Sequence, residues 1–71
     1  MKGWQPREIT GTLHIDSTPS NLATQHILRT RDAFWLLEVE PDRVHWLNGI
    51  TVRVTGDARG QVLRVTSIVP A

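Results

Sequence analysis

Four stretches of this chain alternate apolar and polar residues with a period of two: REITGTLHI, FWLLEVE, ITVRVTG and QVLRVTSIV. That period sends successive side chains to opposite faces, so each stretch reads as a strand with one buried and one wet face. In 71 residues, several short strands have few ways to bury those faces. A flat sheet leaves two edges and one apolar face open, whereas a sheet curled into a barrel covers its interior and removes its edges. The pattern therefore predicts one small all-β domain over residues 1–71. There is no Cys, so neither disulfides nor thiolate–zinc ligation supports the fold. A chain this short buries only about 60% of its unfolded surface, and the core has to be efficient.

In the first strand Ile9, Leu13 and Ile15 share the inner face, and Thr10, Thr12 and His14 point out. Gly11 interrupts the inner row and predicts a bend or bulge. DSTPSN reads as loop because Pro and small polar residues cluster there. The segment after it allows two readings. Pro19 is able to open a helix with Leu22, Ala23, His26 and Ile27 on one side, but Thr24, Ile27 and Thr30 are β-branched and favour a strand over 24–30, which we prefer.

FWLLEVE is the clearest strand. A tight loop at Asp32-Ala33 sets Leu28 opposite Leu37 and Arg29 opposite Leu36. Leu28, Trp35, Leu37 and Val39 then face in. Ile27, Arg29, Arg31, Phe34, Leu36 and Glu38 face out. PDRVHWLNG reads either as a hairpin at Asn48-Gly49 or as a short helical turn near 42–48. In the second reading Val44 and Leu47 share a face, Trp46 covers one barrel end and Gly49 forms a left-handed cap; we prefer the helix. The next strand puts Ile50, Val52 and Val54 inward and Thr51, Arg53 and Thr55 outward. DARG turns the chain, and the last strand puts Leu63 and Val65 inward and Arg64 outward. The ends, 1–6 and 69–71, read as loose.

The order strand, strand, strand, short helix, strand, strand resembles the OB-fold, a five-stranded barrel with its helix between the third and fourth strands. The resemblance is carried by GTLHI, the hairpin LRTRDAFWLLEV, LNGITVRVTG and VLRVTSI, and covers most of the chain. The pattern of Leu47, Gly49, Val52, Val54 and Gly56 is similar to that of small bacterial single-domain OB-fold proteins. An SH3-like barrel is the alternative architecture, and it places its helical turn later in the chain.

Little in the chain points to catalysis. His14, His26 and His45 are scattered and lack zinc-site spacing. Ser17, Ser20 and Ser67 lack a nucleophile elbow, and Glu38, Glu40 and Asp42 read as a solvated charged face. There is no phosphate-binding loop and no dinucleotide fingerprint. We expect a non-catalytic module with no cofactor and no metal. With no apolar run long enough to span a bilayer and no signal-like start, the expected location is the cytoplasm, away from membranes.

The net charge is only +1, but seven of the eight basic residues are Arg, which grips phosphate or carboxylate with two parallel donors. By the OB-fold resemblance, single-stranded DNA or RNA is the expected partner, bound on the face of the second and third strands. Arg29, Arg31 and Phe34 supply cationic donors and a flat apolar platform there, with Arg53 and Arg64 as further candidates. The competing expectation uses the same face differently: Ile27, Phe34 and Leu36 stand outward between the charges and offer an interface to a second copy or another protein. The bland account of the arginines is pairing with acidic neighbours across the strands.

Overall fold

The computed structural model describes residues 3–17 and 24–71. Five strands and one short helical segment follow in the order β1 (Gln5–Ser17), β2 (Thr24–Arg29), β3 (Phe34–Glu38), α1 (Pro41–Val44) running into a 3₁₀ turn (His45–Leu47), β4 (Thr51–Arg59) and β5 (Val62–Pro70). The strands close into a barrel in the order β1-β2-β3-β5-β4, with β4 also paired to β1. All pairings are antiparallel except β3 with β5. The all-β, five-stranded barrel expected from the alternation forms. Its helical segment lies between β3 and β4, not later as the SH3-like alternative requires.

The inner faces meet as predicted. Leu13, Leu28, Leu47, Leu63, Val44, Val52 and Val54 are wholly buried, and Ile9, Ile15, Trp35, Val39, Val65 and Ile68 pack around them. Trp35 is half-buried. It sits at the start of β3, where the barrel opens, and the Arg7 guanidinium covers its ring at 5.5 Å from the centroid.

β1 is long because it serves two neighbours. Gln5–Thr12 pair with β4 and Thr12–Ser17 with β2. Gly11 stands where the strand changes partner. A Cβ there would lie 2.4 Å from the Arg29 carbonyl oxygen, so the bend that Gly11 predicts is a close backbone approach that only glycine permits. Gly56 makes the equivalent approach on the other side, its virtual Cβ 2.1 Å from the Arg64 carbonyl oxygen.

Several sequence expectations need correction. The β2–β3 hairpin turns at Arg31-Asp32, one residue earlier than read: both the N–H and the hydroxyl of Thr30 donate to the Ala33 carbonyl, at 2.9 and 3.2 Å. Leu28 therefore pairs with Trp35, Arg29 with Phe34 and Ile27 with Leu36. The shift is by two residues on one strand, so every side chain keeps its face. Ile50 is exposed at 39%, because it precedes β4 and its carbonyl accepts the Leu13 N–H. Trp46 is exposed at 59% and does not cover the barrel end; Val44 and Leu47 do. So short a helical segment has room to bury one stripe only.

DARG does not turn the chain: Asp57-Ala58-Arg59 extends β4, and the turn falls at Gly60-Gln61, with Gly60 at φ 61°. Thr66 is the extra residue of a bulge, since Thr55 pairs with Ser67 but Gly56 with Val65. The bulge reverses the phase of β5, which is why Ile68 faces the core. Neither end is loose where described. Gln5 and Pro6 pair with Ala58 and Asp57, Pro70 pairs with Val52, and the Ala71 N–H donates to the Thr51 carbonyl. Asp16 and Ser17 belong to β1, while the choice between loop and helix over 18–23 lies outside the described residues.

Candidate functional site

The outward residues of β1, β2 and β3 form rows across the sheet. One row runs Thr51, Thr12, Arg29, Phe34, and the next runs His14, Ile27, Leu36, Val62. Above the first row lies a groove of about 760 Å³. Arg29, Arg31 and Phe34 line it together with the hydroxyls of Thr10, Thr12 and Thr51 and with His14. A second groove of about 460 Å³ continues along β2, bounded by His14, Asp16, Ile27, Arg29 and Phe34. The two share Arg29, Phe34 and His14, so one shallow channel crosses the sheet.

Local chemistry explains the placement. The Arg31-Asp32 turn raises Arg31 and Asp32 at the rim of the channel. Arg29 stands directly across from Phe34, which is 46% exposed, and both line the channel. The cross-strand neighbours of Arg29 are Thr12 and Phe34, neither of them acidic. Among the described residues, neither Arg29 nor Arg31 stands in an ion pair, although Asp16 and Asp32 border the channel. The cross-strand acidic pairing expected as the bland account of these two arginines is not formed among the described residues.

The five residues singled out from the sequence divide. Arg29, Arg31 and Phe34 meet in the channel. Arg53 is exposed on β4, paired with Thr10 and Val69, and flanks the channel without lining it. Arg64 does not join them. Its Nε lies 3.5 Å from Glu38 Oε1 on the neighbouring strand, and its guanidinium lies 4.1 Å from the centroid of the Trp4 ring. Trp4 is accordingly half-buried against the barrel. Of the apolar set, Phe34 and Leu36 are exposed, and Ile27 is half-buried between His14 and Leu36.

Sequence reasoning missed Thr10, Thr12, His14 and Thr51 as channel residues. Their outward phase was legible, but their nearness to Arg29 depends on β1 lying beside β2, which no local pattern encodes. His26 faces inward opposite Ile15 and is only 6% exposed. Its Nε2 has no hydrogen-bond partner among the described residues, and burial lowers its pKa from the ordinary 6.5. His26 is thus a neutral imidazole behind the channel. Among the described residues no group of three or more His, Cys, Asp or Glu converges as a metal site would, and no helix is long and apolar enough to cross a membrane.

The chain matches no protein family, no curated protein and no solved structure. Its function has to be read from the channel itself.

Proposed function

We propose that this chain is an OB-fold module that binds single-stranded nucleic acid, DNA or RNA, along the channel over β1, β2 and β3, and that it acts by binding rather than catalysis. The strand order with its single parallel pair, and the helix between β3 and β4, support the OB-fold reading. One observation carries the functional reading: two arginines outside any ion pair among the described residues and one exposed phenyl ring line the same groove. A single strand presents phosphates on one side and unpaired bases on the other. Arg29 and Arg31 suit the phosphates, Phe34 offers a stacking surface to a base, and the threonine hydroxyls and His14 supply further donors. The low net charge of +1 makes this a short local contact, not a long electrostatic track. No tryptophan lines the channel, so intrinsic fluorescence is a poor reporter and a labelled oligomer is the better probe. Anisotropy of a mixed-sequence single strand is expected to rise saturably at low salt and to weaken steeply at physiological salt. A flat titration at low salt overturns the proposal.

A second reading rests on a different observation. Leu36 is exposed at 37% beside Ile27 and Val62, and with Phe34 it makes an apolar strip on the same face. A second copy seated there would bury Phe34 and Leu36 and close the channel. Sedimentation velocity separates the readings: a monomer that binds oligomer supports the first, and a dimer that excludes it supports the second.

A further inference from the structure

The end of the barrel away from the helix carries a separate groove of about 430 Å³. It lies where β1 and β3 begin and β4 ends, and Arg7, Arg59, Gln5 and Trp35 line it, with Gly3 and Gly60 leaving it open. Among the described residues no carboxylate lines it, whereas Asp32 and Asp16 border the channel on the sheet face. Glu8 follows Arg7 in a strand and so points to the opposite side. Asp57 sits across from Pro6 and Arg64, and it too is outside the groove.

We propose that this barrel mouth is a phosphate-binding site in which Arg7 and Arg59 hold the anion and Trp35 positions Arg7. Stacking on an indole uses the flat face of a guanidinium and leaves its in-plane N–H donors free. The Arg7 guanidinium carbon lies 5.5 Å over the centroid of the Trp35 ring, and neither Arg7 nor Arg59 stands in an ion pair among the described residues. Arg64 shows the contrasting outcome: it also stacks on a tryptophan, but Glu38 occupies its Nε. The turn that follows the second arginine of the mouth is tethered. The Leu36 N–H donates to the Gln61 carbonyl at 2.7 Å, which pins the β4–β5 turn next to Arg59 against the strand that carries Trp35. Two guanidinium side chains lining one groove match the several oxygens and the double charge of a phosphate better than the two oxygens of one carboxylate. The volume exceeds one phosphate and admits a diphosphate or a phosphate ester. This site is independent of strand binding on the sheet face.

The test uses the full chain labelled with nitrogen-15 and inorganic pyrophosphate as probe, read by NMR. Saturable shifts are expected at the Trp35 indole N–H and at the Arg7 and Arg59 Nε–H groups. Arg7→Gln and Arg59→Gln are each expected to lower the affinity by about tenfold or more, the scale of one charged hydrogen bond. Arg7→Lys should recover only part of it, because the amine lacks the planar fork. Arg29→Ala with Arg31→Ala should leave pyrophosphate binding within about twofold, so a failed sheet-face reading does not touch this one. Malonate, a dicarboxylate, is expected to bind more weakly. Equal binding of malonate overturns the assignment to phosphate. Shifts confined to the residues around Arg29, or full affinity in Arg59→Gln, overturn the site.

Discussion

Arg29 and Arg64 start from equivalent positions and end in different chemistry. Each stands outward on a strand, and each has its carbonyl oxygen pressed against a glycine of the neighbouring strand, Gly11 for Arg29 and Gly56 for Arg64. Arg64 then meets Glu38 across the parallel β3–β5 pair and Trp4 from the start of the chain. Arg29 meets a threonine and a phenylalanine. An arginine is therefore committed or available according to what the register sets beside it. Its own side chain is the same in both places.

The sharpest way to break this comparison is to remove the glycines. Gly56→Val puts a branched side chain where even a Cβ lies 2.1 Å from backbone oxygen. Backbone atoms cannot rotate away, so a loss of at least about 3 kcal/mol is expected in a denaturant melt. Gly11→Val should behave alike on the other side. A variant with an unchanged midpoint shows that the strands do not approach as described.

Next in size is the channel itself. Arg29→Ala with Arg31→Ala removes two phosphate contacts. The slope of log affinity against log salt for a single strand should flatten by roughly 1.4, at about 0.7 per contact. An unchanged slope removes both arginines from the interface. Arg64→Ala is the matched control. Because Glu38 and Trp4 already occupy it, oligomer affinity should move by less than about twofold. The exposed pair with Glu38 should cost no more than about 1 kcal/mol of stability. A large loss of binding in Arg64→Ala erases the distinction between the two arginines.

The smallest expected effect is read by pH. His26 is buried behind the channel with its pKa lowered by desolvation, so the unfolded chain takes up a proton before the folded one does. Its neutral burial is tolerated in full above about pH 6.5. Stability then falls as pH drops from 6.5 through the lower folded value. Replacing His26 by Leu should remove that dependence from urea melts run between pH 7 and 5. A dependence that persists in His26→Leu assigns it to another group.

Strand positions and faces were legible because alternation is local. Val52, Val54, Leu13 and Leu63 could be assigned inward from their neighbours alone, and all are fully buried. What the sequence hid was pairing. Asp32-Ala33 and Arg31-Asp32 are equally plausible turn tips by residue type. Only the double hydrogen bond from Thr30 to Ala33 decides between them. The Thr66 bulge is invisible because one unpaired residue leaves no compositional mark. The fate of Arg64 depends on Trp4, distant in sequence, and on a parallel register that no turn specifies. Arg29, Arg31 and Phe34 were therefore readable as candidates from residue type and outward phase. The rest, His14 and the threonines, required knowing which strand lies beside which.

The parallel β3–β5 pair has a consequence for assembly of the fold. Among the described strands β5 alone joins β3 to β4, and each of those two would otherwise present an unpaired row of backbone donors and acceptors. Without β5 the remaining four strands would be an open sheet with two adhesive margins. Closing the ring also requires β1 to find β4, Glu8 opposite Thr55 for example, across most of the chain. Contacts so distant in sequence form slowly, on the millisecond-to-second scale usual for non-local β folds. In the finished ring β5 joins β3 only over Val62–Arg64 and is paired with β4 alone from Val65 to Pro70, so the seam that closes the barrel is also a thinly paired margin.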